Sequence, residues 1–367
     1  MSRVWSEGVD ALHPYVPGEQ SNREGVLKLN TNESPYPPSP AALQAMKNVS
    51  GDQLRRYPDP ESNALRQALA TYHGVNRDQV FVGNGSDEVL GFAFKAFFCR
   101  RGPLCFPDIS YSFYPVWAQL FEIETQVLAV DDAYQIPFDA MPSGLGGIIF
   151  PNPNAPTGIA TSRAQIEALL RRFPDSVVVV DEAYVDYGTE TAIDLLHAFD
   201  NLLIVRTMSK SRGLAGLRVG YALGSTELIE GLVRIKDSFN SYPLDAIAQA
   251  GALASVQDDV YFQETVSAVI DARHQLTRGL TNLGFDILPS SANFVFAKNS
   301  RKSGQEWQAL LREQNILVRH FAKPRLSDWL RITVGTPEEV RKLLQALALL
   351  WHDAADAVAS AKGAQYP

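Results

Sequence analysis

Residues 176–184 read SVVVVDEAY, four consecutive valines that end on two carboxylates. β-Branched side chains crowd a helix, and an apolar run with no solvent-facing position predicts a strand buried on both faces. Strands of that kind belong to a mostly parallel sheet covered by helices, an α/β architecture. Asp181 and Glu182 then mark the carboxyl end of the strand, where ligands of open α/β sheets bind.

The same alternation extends outward along the chain. Upstream, strand-like QVFVG, PLCF and GGIIF exchange with helical NALRQALATYHG, DEVLGFAFKAFF and YSFYPVWAQLF. Downstream, NLLIVRT and RVGYALG read as further strands, followed by the helical patterns IAQAGALASV and VYFQETVSAVIDARHQLTRGLTNLG. The second of these ends at Gly284 and is placed to link two domains. Strands FDILP, NFVFAK, ILVRHF and WLRITV then alternate with two helical segments, predicting a smaller α+β domain. The Pro- and Asn-rich first forty residues read as an extended arm of the kind that reaches across a neighbour. The expected organisation is an arm over 1–40, a large domain over 41–257 and a small domain over 258–367, with a frayed tail from 353.

Composition narrows the function. A chain of 367 residues with 46% hydrophobic content can bury a large core, and a formal charge of -8 without basic clusters argues against nucleic acid as a partner. No apolar run approaches the ~20 residues of a spanning helix, so no membrane role is expected. Two cysteines, Cys99 and Cys105, are too few for a disulfide framework or a Cys-rich zinc site. No apolar signal core opens the sequence, and the expectation is a cytoplasmic protein without a metal.

Four segments carry candidate chemistry. Thr207-Met208-Ser209-Lys210 follows the buried run LLIVR, and a lysine at a strand end can be desolvated enough to form an imine with an aldehyde. In isolation such a lysine is more often a solvated loop residue. Asp181 is costly to bury unless it meets a cation or metal, and a protonated pyridine nitrogen is a suitable cation; a helix cap or magnesium ligand is the competing reading. GNGSDE, residues 83–88, joins a strand to a helix in the manner of a phosphate cradle, although a glycine turn with a Ser cap would look the same. FPNPNAPTG, residues 150–158, presents Asn side chains rigidly beyond a strand, or is simply a tight turn.

Taken in order, LHPY, LNTNE, RRYPDP, GNGSDE, SYSFY, NPNAPTG, DEAY, SK(x7)R, ANFVFA and WLRITVG span almost the whole chain. In this order the segments resemble the fold type I pyridoxal-phosphate aminotransferases, and most closely their histidinol-phosphate branch. The resemblance implies Lys210 as the imine lysine, Asp181 at the pyridine nitrogen, Tyr184 at the ring hydroxyl and Tyr111 stacked on the ring. It implies Ser86, Asp87, Ser209 and Arg218 at the phosphate, with Tyr57 reaching the phosphate of a partner subunit, hence a homodimer with shared active sites. Many relatives carry Asn directly before Pro-Thr-Gly; this chain has Ala155, and Asn154 is expected to take over by a small shift of the turn. For substrate, the resemblance implies Arg331 and Arg319 as anion-binding arginines, with Tyr15 and Asn293 lining the same pocket. The implied reaction transfers an amino group between a small-molecule amino donor, histidinol phosphate, and a 2-oxo acid, 2-oxoglutarate. The same scaffold also serves aromatic-amino-acid aminotransferases and threonine-phosphate decarboxylases, and these remain open at this point. A cofactor-binding regulatory protein is disfavoured by the intact Lys210, Asp181 and Tyr184 without an attached DNA-binding segment.

Overall fold

The computed structural model describes residues 4–363 apart from 7, 22, 24, 100 and 101, with the backbone alone for 351–363. Twelve strands form two sheets: β1 Leu27–Leu29, β2 Val80–Asn84, β3 Leu104–Pro107, β4 Thr125–Leu128, β5 Gly147–Pro151, β6 Val177–Asp181, β7 Leu202–Thr207, β8 Val219–Gly224, β9 Asp286–Ile287, β10 Phe294–Lys298, β11 Ile316–His320 and β12 Trp329–Thr333. The larger sheet has the order β2-β8-β7-β6-β5-β3-β4. β3 to β7 pair in parallel, while β8 runs antiparallel to both of its neighbours.

The valine run occupies the middle of this sheet, as its lack of a polar face requires. Val178 and Val180 pack into one hydrophobic cluster with Ile148, Phe150, Leu202 and Ile204, whereas Val179 packs into a second with Ile149, Leu203 and Val205. Full burial of a valine side chain stabilises the fold by roughly 1.5–3 kcal/mol, so the strand anchors the layers on both sides. Helices Asn63–His73 and Arg163–Arg172 cover one face; Gly85–Ala93 and Thr226–Phe239 cover the other.

The smaller sheet has the order β1-β11-β12-β10-β9. β1, from the N-terminal forty residues, pairs in parallel with β11, so the arm is stitched into this sheet. One face of the sheet rests on the 24-residue helix Asp259–Asn282 through Val295, Ala297, Leu330 and Ile332. The alternate residues Phe296 and Trp329 stack at 5.0 Å and join the core of the larger sheet. The two sheets therefore share packing, and the ends of β3 and β5–β7 face the smaller sheet's arginines across a cleft.

Several elements differ from the sequence reading. β4 carries three exposed residues and no apolar alternation, and it is held as an edge by pairing with β3. Helix Arg163–Arg172 is absent from the sequence reading, although its Ser162/Gln165 capping box and the buried Ile166, Leu169 and Leu170 at helical spacing mark it. The final helix spans Pro337–Gly363, so 353–363 is helical backbone rather than a frayed end, and 364–367 lie outside the described residues.

Candidate active site

The carboxyl ends of the parallel strands gather the predicted residues at one cleft of about 860 Å³, a size that accommodates a cofactor with a small substrate. Its lining includes Tyr15, Ser86, Asp87, Tyr111, Asp181, Tyr184, Ser209, Lys210, Arg218, Arg319 and Arg331. Lys210 follows β7 through a turn, and its Nζ donates to the Thr31 carbonyl at 3.3 Å while lying 5.8 Å from the centre of the Tyr184 ring.

Asp181 ends β6 buried. Its Oδ2 accepts from the Tyr114 hydroxyl at 3.0 Å and its Oδ1 from the Ala183 amide at 3.2 Å. Burial pushes its carboxyl up to about 7, and the Tyr114 bond opposes that shift. A cationic partner would remove the burial penalty, so a protonated ring nitrogen fits this carboxylate. Glu182, next in sequence, turns away and forms a buried ion pair with Arg206 of β7 at 2.8 Å. Tyr114 was missed by sequence reasoning, because within SYSFY it reads as one core aromatic among several. Its only signal is a spacing of three residues from Tyr111, whose ring it meets edge-on at 5.7 Å.

The GNGSDE segment forms the start of helix Gly85–Ala93, whose first turn has no side-chain cap. Two glycines open the approach to its amides. A Cβ on Gly220 of β8 would lie 2.2 Å from the Ser86 nitrogen, and one on Gly85 would lie 2.4 Å from the Arg218 guanidinium. Uncapped amides beside a guanidinium suit a phosphate. Here the Asp87 carboxylate bridges Arg218 at 3.2 Å and the Tyr111 hydroxyl at 2.8 Å, tying the stacking ring to this cradle.

Across the cleft, Arg319 of β11 stands opposite Arg331 of β12 in the strand register. Neither makes a salt bridge among the described residues. Burial, and then the neighbouring Arg319 charge, push the Arg331 pKa down, and its Nε is buried without a partner. Two adjacent guanidiniums of this kind call for an anion. Tyr15 from the arm stacks on Phe113 at 4.8 Å and closes the near side.

Three predicted residues sit elsewhere. Asn154 is buried behind the turn; its Nδ2 already donates to the Ile109 carbonyl at 2.9 Å and to Thr157 Oγ1 at 3.1 Å. The ring-oxygen role expected of it does not fit this arrangement, and the cleft at this turn is lined by Ala155 and Pro156 instead. Asn293 does not line the pocket either; it lies behind the cleft wall, where its Nδ2 donates to the Asn32 carbonyl at 3.0 Å. Tyr57 is 82% exposed, stacks on Tyr242 at 4.7 Å and stands outside this chain's own cleft.

Comparison with known proteins bears on this site. Residues 24–347 match the family model of aminotransferase class I and II. The chain is 56% identical over 350 residues to histidinol-phosphate aminotransferase 1 of Bordetella parapertussis, covering 95% of this chain and 98% of that protein. It is 54% identical to histidinol-phosphate aminotransferase 1 of Pseudomonas aeruginosa, covering 95% and 100%. Among solved structures, the histidinol-phosphate aminotransferase of Sinorhizobium meliloti, in complex with pyridoxal-5'-phosphate, superposes with a TM-score of 0.86 at 23% identity, covering 96% and 99%.

The Asp181 carboxyl gives a pH signature. Its pKa is raised in the fold from 3.8 to about 7, so its contribution to stability is fully present below 3.8 and is lost as pH climbs through about 7. In protein freed of cofactor, the melting temperature is expected to fall across that window more steeply for the unmodified chain than for Asp181→Asn. Parallel melting profiles for the two proteins would contradict the assignment.

Proposed function

The chain belongs to the class I and II aminotransferase family, and we propose that it moves an amino group between histidinol phosphate and 2-oxoglutarate with pyridoxal phosphate as cofactor. The observation that carries the substrate reading is the pair Arg319 and Arg331, paired in register, lining the cleft and free of acidic partners among the described residues. A phosphate at one end of the amine satisfies such a pair through charge-assisted hydrogen bonds, and the carboxylate of glutamate uses Arg331 in the return half-reaction.

Pyridoxal phosphate, when bound, supplies a carbonyl carbon that receives the amino group and a ring that draws electron density from the substrate carbon. Lys210 is the residue that would hold that carbonyl, and its Nζ, when free, would be the base that takes the proton from the substrate carbon. Asp181 keeps a proton on the ring nitrogen. Tyr111, fixed by Asp87 and by the edge of Tyr114, supports the ring face. The amides at Ser86 and Asp87, the Ser209 hydroxyl and Arg218 would hold the phosphate and so fix the cofactor relative to Nζ.

A two-fold dimer completes this reading. Tyr57 is 82% exposed and stacks on Tyr242 at 4.7 Å, an exposed aromatic pair suited to a second copy. Tyr57 would then reach the phosphate of the partner's site. Two free cysteines suit a reducing cytoplasm.

Lys210→Ala is expected to abolish turnover while retaining cofactor, since the phosphate and ring contacts remain; multiple turnovers in that variant would sink the assignment. Arg319→Ala should lower kcat/KM for histidinol phosphate more than for glutamate, by roughly ten- to a hundredfold for one lost charge-assisted bond, whereas Arg331→Ala should impair both half-reactions. Equal use of histidinol and histidinol phosphate by the unmodified enzyme would refute the substrate reading. For the dimer, mixing Lys210→Ala subunits with Tyr57→Phe subunits should produce hybrids with one unmodified site and activity above either parent; a fully active monomer would rule out sharing.

A further inference from the structure

Tyr184 lines the cleft, and the groups around its hydroxyl determine what that hydroxyl can offer. Asn32 is buried, and its Nδ2 lies 3.0 Å from the Tyr184 oxygen. Thr333 fixes which end of the Asn32 amide faces the tyrosine. Its Oγ1 accepts from the Asn32 backbone N–H at 3.0 Å and directs its own proton to Asn32 Oδ1, also at 3.0 Å. Turning the amide over would set Nδ2 against Thr333 and leave the buried Thr333 hydroxyl proton without an acceptor among the described residues, so the Nδ2 end faces Tyr184. The Tyr184 oxygen therefore accepts on the Asn32 side, and its single O–H proton is left for the cleft.

The backbone reinforces this choice of residue. Asn32 has φ +56°, a left-handed conformation that Asn tolerates better than most side chains, and Asn293 holds its carbonyl. Ala155 offers the cleft a methyl group, and the amide of the adjacent Asn154 is committed to Ile109 and Thr157. No side-chain amide of that turn is free to share the task.

We propose that Asn32 is a positioning residue that fixes Tyr184 as the hydrogen-bond donor to the ring oxygen of the bound cofactor. The proposal rests on the pyridoxal-phosphate reading of the site. Aspartate at position 32 would present an acceptor to Tyr184 and recapture its proton, whereas alanine would leave the hydroxyl free to rotate.

The test is a pH titration of the visible absorbance of the holoenzyme, for Asn32→Ala and Asn32→Asp, each with and without Tyr184→Phe. A donor on the ring oxygen favours the more negative of the two protonation states that the titration interconverts, so its loss moves the midpoint upward. Asn32→Ala is expected to raise the midpoint by about one pH unit and to add nothing in the Tyr184→Phe background. If Asn32→Ala fails to fold, Asn32→Asp carries the test: its upward shift must be larger with the Tyr184 hydroxyl than without it, where only its charge acts. Folded variants with an unmoved midpoint, or equal shifts in both backgrounds, overturn the proposal. An unmodified protein with no visible band and no amino transfer would instead overturn the cofactor reading.

Discussion

A carboxylate buried at the end of a central strand needs a cation or a proton, and Asp181 has hydrogen-bond donors but its carboxyl is still pushed up to about 7. The strand that delivers it cannot move, because Val178, Val179 and Val180 are locked into cores on both faces of the sheet. Tyr114 holds the carboxylate with its hydroxyl and meets Tyr111 with its ring edge. One rigid aromatic therefore sets the position of both Asp181 and Tyr111. The cradle follows from the same frame, because Asp87 links Tyr111 to Arg218, whose strand β8 must carry Gly220 to let the helix amides approach.

Much of this frame could be read in the sequence, for a physical reason. VVVV has no polar face, LLIVR leads straight to Lys210, and GNGSDE carries the glycines of a strand-to-helix turn, so each segment constrains its own geometry with little help from distant parts of the chain. What escaped is what depends on long-range pairing. β4 is a strand only because β3 lies beside it. Asn32 and Thr333 are 301 residues apart, and nothing local in LNTNE announces that its second Asn will face a tyrosine hydroxyl. Asn154 and Asn293 show the converse. Both were placed at the cleft through the family resemblance, yet the 150–158 turn directs Asn154 toward Ile109, and Asn293, just before β10, donates to the Asn32 carbonyl.

Fold and chemistry also separate at this site. A fold by itself does not choose a reaction, and the two-sheet framework is no exception. The choice lies in side chains that face the substrate carbon and in how the smaller sheet presents its charges.

Those charges depend on how the two sheets are joined. Arg319 and Arg331 sit on adjacent strands of the smaller sheet, whereas Lys210 follows the larger one, so their separation depends on the Phe296–Trp329 stack and the surrounding core. Arg331 is half-buried beside a like charge, with its Nε enclosed, and the rings of Phe294 and Phe321, 5.4 and 5.5 Å away, compensate only in part. Like charges held together in a site of reduced dielectric repel, and the hydrogen bond from Arg331 Nη2 to the Asn30 carbonyl at 3.1 Å helps the surrounding packing to hold Arg331 there. An anion that enters between them relieves the repulsion and supplies the partner that Arg331 Nε lacks. A neutral end group at the same place leaves the repulsion intact and displaces water that had softened it. The electrostatic cost of holding the empty pair therefore becomes discrimination in favour of a phosphate or carboxylate, and it acts at the end of the substrate away from the bond-making carbon.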